Sequence, residues 1–535
     1  MAAKSVDKWQ YGDFQTPVEL ARKVVSVLKR NHGIVPDVII EPTCGKGAFI
    51  QACGEGFGNA QILGYEINPS YVEAARTELG AIRGMSKASI RQADFFQTDW
   101  QHILSSLHGY LLIIGNPPWV TSSELGLLES DNLPQKSNFQ NRKGIDAITG
   151  AGNFDISEWM LLQTLQWLEN RTGALAFLCK TTVARKIMRQ IRRTSRNTFF
   201  GHIYPIDARL YFGAAVEACL FVLTQSSENT DCELYESLES TKPIQIIGER
   251  DGFVVTNVEQ YGRLRHLRGQ DPRYIWRTGI KHDCSDIMEL ERHGEDYRNG
   301  LGEIVRCEQK LLYPLLKSSD IGNGRTSDFR KLVIVTQKAV GENTSPLQGL
   351  APKTWEYLNR HKNRFDRRKS SIYNNKPDFS IFGVGPYSFR PWKVAISGLY
   401  KKLNFCIVGP LSGKPVMLDD TVNFLSFETE QEARFVYELL GSKPTLDFLD
   451  SVIFWDEKRP VTTEILRRLS LREVARQLGR LDQYRRWTET IATDCKGQLE
   501  LAIAEEAEEY AIRTCGQGKT LASRLPHLPP PIPHE

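Results

Sequence analysis

The chain of 535 residues lacks clustered cysteines: its ten are scattered, no two stand two residues apart, and no histidine run accompanies them. That spacing excludes a zinc ribbon and a disulfide framework, and it predicts no bound metal and mostly buried, reduced thiols. Long hydrophobic runs are also missing. No apolar run approaches the roughly 18 residues of a membrane span, and the start, Met1 to Gln10, has no apolar core of signal-peptide length. A cytoplasmic chain with no membrane partner is therefore expected. Charge of one sign is scarce too: 68 Lys and Arg face 64 Asp and Glu, a formal net charge of +4. Partners must then be inferred from local charge. Internal repeats are absent, and the length suits two to four domains with large cores.

What the chain does have is the stretch Leu111-Leu112-Ile113-Ile114-Gly115-Asn116-Pro117-Pro118-Trp119. Four apolar residues suited to a buried strand meet a glycine, an asparagine and two prolines, so the strand must stop abruptly at its carboxyl end. Open α/β sheets keep their sites there. Asn116 offers a side-chain carbonyl, Pro117 a backbone carbonyl with no amide hydrogen of its own, and Trp119 a broad flat face. Two acceptors beside a stacking plate suit a flat heterocycle with an amino group, such as adenine with its N6. The plain alternative is a proline-terminated core strand.

The neighbouring segments add weight. Phe14-Gln15-Thr16-Pro17 precedes an amphipathic helix with Val18, Ala21, Val24, Val25 and Leu28 at helical spacing; Thr16 can cap it and Pro17 suits its first turn. Val38 to Phe49 reads as strand, glycine turn, helix, with Gly45 and Gly47 where a ligand must approach the backbone. Its spacing is not that of a dinucleotide-binding turn. A short glycine turn preceded by Glu41 better suits S-adenosylmethionine. A second strand ends in Glu66, 21 positions after Gly45, about the distance at which an acid accepts ribose hydroxyls; a helix-capping acid is the alternative. A third strand, Ser89 to Phe96, closes on Asp94 and Phe95, which suit an adenine amino group and ring. Beyond Trp119 a polar loop runs through Asn153, long enough to be a lid. Two later strands flank Leu210-Tyr211-Phe212-Gly213-Ala214, where Phe212 is a second stacking face and Tyr211 its rival.

These residues, in this order, resemble the γ-class methyltransferases that modify N6 of adenine in DNA, of the type II restriction–modification kind. Phe14 to Pro17 is similar to the family's amino-terminal motif, Glu41 to Phe49 to its methionine-moiety motif, Glu66 and Asp94 to its ribose- and adenine-binding acids, and Asn116 to Trp119 to its catalytic tetrapeptide. The resemblance covers roughly residues 10 to 225. It implies a seven-stranded Rossmann-like sheet. It also implies a donor site of Phe14, Thr16, Glu41, Thr43, Gly45, Gly47, Phe49, Glu66, Asp94, Phe95 and Asn116, and a catalytic set of Asn116, Pro117, Trp119 and Phe212. The family often has Tyr or Phe where Trp119 stands; all three can stack. The implied target is an adenine flipped out of duplex DNA.

A small-molecule methyltransferase would end near residue 225, but this chain continues. Between 353 and 402 it carries 12 Lys and Arg against 3 Asp and Glu, with 10 aromatics interleaved. Such a stretch fits phosphate and base contacts, with Arg367, Arg368, Lys369, Tyr373, Tyr387, Lys393 and Lys401 as candidates; a solvated basic face is the alternative. The segment from Phe382 to Lys401 resembles the family's target-recognition half. The expected architecture is α/β: a methyltransferase domain over 1–230, a mixed, β-rich target-recognition domain over 231–460, a helical segment over 461–520 and a proline-rich tail over 521–535. Expected partners are double-stranded DNA and a cognate restriction endonuclease or defence-system subunit. An enzyme with the same corner acting on RNA or a protein glutamine amide, and a non-catalytic DNA-binding subunit, are the competing readings.

Overall fold

The segment that stops at Asn116 lies inside a sheet. In the computed structural model, which describes residues 14–80, 87–120, 155–194, 198–226 and 231–489, β4 (Leu111–Gly115) is buried along its whole length. It pairs in parallel with β1 (Val38–Glu41) on one side and β5 (Gly173–Lys180) on the other. From β1 the sheet continues in parallel through β2 (Gln61–Glu66) to β3 (Ala88–Gln92). The chain thus steps outward along β1, β2 and β3, then returns to the far side of β1 as β4. That reversal opens a crevice at the carboxyl ends of β1 and β4.

Beyond β5 the pairing changes sign. β7 (Ala218–Ser226) is antiparallel to both β5 and β6 (Thr198–Ile206). The expected seven strands do not complete the sheet. Three more, β8 (Cys232–Leu234), β9 (Gln245–Arg250) and β10 (Phe253–Val255), extend it from the β6 edge to ten. The first compact unit accordingly runs to Arg263, past the boundary expected at 230, because these strands stay hydrogen-bonded to it.

Among the described residues the helices that accompany this sheet include α1 (Val18–His32), α2 (Ala48–Gly56), α3 (Pro69–Gly80), α4 (Trp100–Ser105), α5 (Ile156–Gln166), α6 (Thr181–Thr194) and α7 (Ala208–Phe212). α1 buries Leu20, Ala21, Val24, Val25, Val27 and Leu28, the stripe its spacing predicts. The helix begins at Val18 after Pro17, and no side chain caps it. Thr16 is therefore not the expected cap.

The second unit, Leu264 onward, carries two sheets. One joins Arg277–Thr278, Val422–Phe427, Trp392–Ser397 and Phe405–Val408 in antiparallel order. The other has six strands, with Glu289–His293 and Lys331–Ile334 at its centre. Helices Thr463–Leu466, Leu471–Gln477 and Leu481–Glu489 follow. Among the described residues no helix is long and apolar enough to cross a membrane. The eight cysteines described are all buried. Gly12-Asp13, the loop from 121 to 154 and everything after 489, including the proline-rich tail, lie outside the described residues.

Candidate active site

A pocket sits at the carboxyl ends of β1, β2 and β4 and beside the turn after β3. Nine of the expected donor residues line it: Phe14, Thr16, Glu41, Thr43, Gly45, Glu66, Asp94, Phe95 and Asn116. The two remaining have other tasks. Gly47 turns the chain into α2 at φ 86° against Ala75, and Phe49 is buried in the core.

Two of the pocket's carboxylates accept from backbone amides. Glu66, closing β2, accepts from the Gly45 amide through Oε2 and from the Asn68 amide through Oε1, both at 2.8 Å. Asp94 accepts from the Phe96 amide at 2.8 Å. Gly45 has φ 50°, and a Cβ there would lie 2.8 Å from Gln15 Oε1. The same Gln15 oxygen accepts from the Lys46 amide at 3.1 Å, so the segment before α1 lies against the glycine turn. Among the other lining residues are Gln15, which the amino-terminal motif contains without an assigned role, and Asn68, Tyr71, Phe96, Ile156 and Met160, to which the sequence assigned none. Asn68 stands two positions after Glu66, which is the trace it leaves in the sequence.

Glu41 is 2 % exposed and its Oε2 has no hydrogen-bond partner. Burial, and then the Glu66 carboxylate, push its carboxyl well above the usual range. Thr43 Oγ1 and Asn116 Oδ1 are likewise buried without partners. Three orphaned polar atoms in one pocket call for a ligand, because each carries a desolvation cost of about 1–3 kcal/mol until it is matched. A carboxyl group that an ammonium can ionise, a glycine turn for close backbone approach and an acid at the end of β2 together fit S-adenosylmethionine.

The aromatic part of the site differs from expectation. Trp119 is not an open plate: its indole is 4 % exposed, and Nε1 donates to the Leu178 carbonyl on β5 at 3.2 Å. The Phe14 ring lies 5.5 Å away on one side and the Phe212 ring 5.1 Å away in an edge-on arrangement. A buried indole needs a partner for its N–H, and the end of β5 supplies one while the two phenyl rings cover the rest. Phe212, half-buried on α7, is the aromatic that meets Trp119; the Tyr211 hydroxyl instead accepts from Lys23 at 3.4 Å. Pro117 is buried, and Pro118 takes its place in the pocket wall.

In the second unit the candidate cations do not form one face. Lys393 is 1 % exposed and donates to the Arg390 carbonyl at 2.8 Å, and burial alone lowers its pKa to about 7. Arg368 lies 3.5 Å over the Tyr373 ring and donates to the Ser380 carbonyl at 2.8 Å. Tyr387 packs under Arg277 at 4.7 Å. Arg367, Lys369 and Lys401 are exposed. Burial removes Lys393 from the expected DNA contacts, while Arg368, Tyr373 and Tyr387 are partly exposed and engaged in packing within the unit.

No family model matches the chain. It is 47% identical over 472 residues to the type II methyltransferase M.NspV of Nostoc sp., a match spanning 88% of this chain and 98% of that protein. A shorter stretch of 110 residues is 40% identical to the type II methyltransferase M.CvrRI of Paramecium bursaria Chlorella virus XZ-6E, covering 21% of this chain and 25% of that protein. Among solved structures, the type IIL restriction-modification enzyme MmeI in complex with DNA aligns with a TM-score of 0.49 at 14% identity, over 86% of this chain and 65% of that one.

Proposed function

The chain belongs to the type II methyltransferases, and from that premise we propose that it is a γ-class enzyme that methylates N6 of an adenine flipped out of duplex DNA. The donor is S-adenosylmethionine, and the biological setting is the modification half of a restriction or other defence system. The observation that carries this reading is the convergence of the unpartnered Glu41 Oε2, Thr43 Oγ1 and Asn116 Oδ1 on one pocket at the carboxyl ends of β1 and β4.

Bound S-adenosylmethionine supplies an electrophilic methyl group on a sulfonium centre. The chain's own residues do the rest. Glu41 meets the donor's ammonium, Glu66 accepts from ribose hydroxyls, and Asp94 faces the adenine edge. Adenine N6 is a weak nucleophile because its lone pair is delocalised into the ring. Asn116 Oδ1 and the Pro117 carbonyl accept the two amino hydrogens, draw the nitrogen toward tetrahedral geometry and stabilise the positive charge that develops on it. With the methyl group passed to N6, one amino proton would leave to solvent and discharge the nitrogen. Fixing the nitrogen and methyl in line contributes through orientation. Stacking on Trp119 requires the covering Phe14 and Phe212 rings to turn aside first. Base reading is assigned to the second unit, with Arg367, Lys369 and Lys401 as its exposed cations.

The test is product analysis. Purified protein, duplex DNA and methyl-labelled donor are incubated, and the DNA is digested to nucleosides. Label in N6-methyladenine supports the reading; label in a methylcytosine, or only in RNA or protein, overturns it.

A further inference from the structure

Asn116 has an amide with two unlike ends, and methyl transfer needs the oxygen end. Nδ2 donates to the Phe14 carbonyl at 3.0 Å and to Thr16 Oγ1 at 3.2 Å. Oδ1 is left buried without a partner in the wall of the pocket. The orientation is fixed by chemistry. A backbone carbonyl can only accept, so turning the amide over would set Oδ1 against the Phe14 oxygen. It would also present an NH2 group, a donor, to a substrate amino group that needs an acceptor.

The segment that does this is itself pinned. Gln15, between the two contacts, holds the Lys46 amide and lies against Gly45. The Thr16 hydroxyl does not cap α1; its hydrogen-bond partner is Asn116, 100 positions away in sequence.

We propose that Thr16, acting with the Phe14 carbonyl, is a positioning residue for methyl transfer that holds the Asn116 amide with its oxygen toward the reacting nitrogen. This rests on the amino-methyltransferase reading above. It reassigns Thr16 from donor contact to catalytic alignment, and the two roles move different quantities.

The experiment uses the full-length protein as wild type, Thr16→Val and Thr16→Ser. Two quantities are measured: the single-turnover rate on duplex DNA at saturating donor, and the Kd for S-adenosylhomocysteine by calorimetry. Valine keeps the shape of threonine without its hydroxyl. The rate of Thr16→Val should fall about tenfold, the effect of one neutral hydrogen bond. Its Kd should stay within about twofold, which also reports an intact fold, and Thr16→Ser should recover the rate. An unchanged rate in Thr16→Val, or a Kd that rises as much as the rate falls, overturns the positioning role alone. A wild type that methylates no amino nitrogen overturns the functional reading with it.

Discussion

Glu41 shows how one residue ties the site to pH. Its carboxyl is held well above the ordinary value of 4.5 by burial and by Glu66, opposed by the Ile50 amide, with the Cys44 and Cys53 thiols also near. The folded protein therefore keeps this proton to a higher pH than the unfolded chain. Stability is unaffected below the ordinary value and falls as pH rises through the interval up to the raised one, by at most about 1.4 kcal/mol per pH unit. Glu41→Gln removes that cost, so the variant should melt at a higher temperature at pH 8 and show little change at pH 4.5. An ammonium ligand favours the ionised carboxylate, so donor binding should release a proton and strengthen as pH rises in the wild type. Calorimetry in buffers of different ionisation enthalpy reads that proton. A Gln variant that binds the donor analogue as tightly as wild type contradicts the assigned contact.

At the scale of elements, β4 and the turn after it were legible because apolar run, glycine, asparagine and two prolines leave few conformations. Glu41, Glu66 and Asp94 were legible for a related reason: a strand end that must stop at a carboxylate shows both facts in one short run. Trp119 and Thr16 were not. A large aromatic after two prolines reads alike whether it faces a groove or the core, and only β5 and α7, folded around it, decide. Thr16 before Pro17 reads as a cap because its true partner is distant in sequence. The packing role of Trp119 carries its own prediction. Trp119→Ala should destabilise the protein by about 3–5 kcal/mol, whereas Trp119→Phe should lose much less, chiefly the hydrogen bond to Leu178. Chemical denaturation measures both; an alanine variant of undiminished stability would mean that the indole is not part of the core.

Across the whole molecule, a count of charges along the sequence misled where it ignored which side chains point inward. The basic excess between 353 and 402 includes Lys393, buried under its sheet, and cations paired with acids, such as Lys362 with Asp378 and Arg390 with Glu428. Lys393 has its pKa lowered from 10.5 to about 7. The unfolded chain holds that proton to higher pH, so the cost of burying the charge is full below about 7 and fades as pH approaches 10.5. Lys393→Met should therefore raise the melting temperature more at pH 6.5 than at pH 9.5, with DNA affinity unchanged. A variant whose DNA affinity drops while its stability does not rise would return Lys393 to the DNA-contacting set. The strands β8 to β10 were similarly illegible as part of the first unit, because short strands announce neither their partners nor their sheet.

The central claim is that the Asn116 oxygen activates the reacting nitrogen while the donor is held by other groups. Its most direct measurement pairs methyl transfer to duplex DNA with donor-analogue affinity in Asn116→Ala and wild type. Transfer should fall by at least a hundredfold, more than about 2.7 kcal/mol of transition-state stabilisation, while Kd changes little. Transfer that persists in the variant, or is lost only in step with donor affinity, would contradict it.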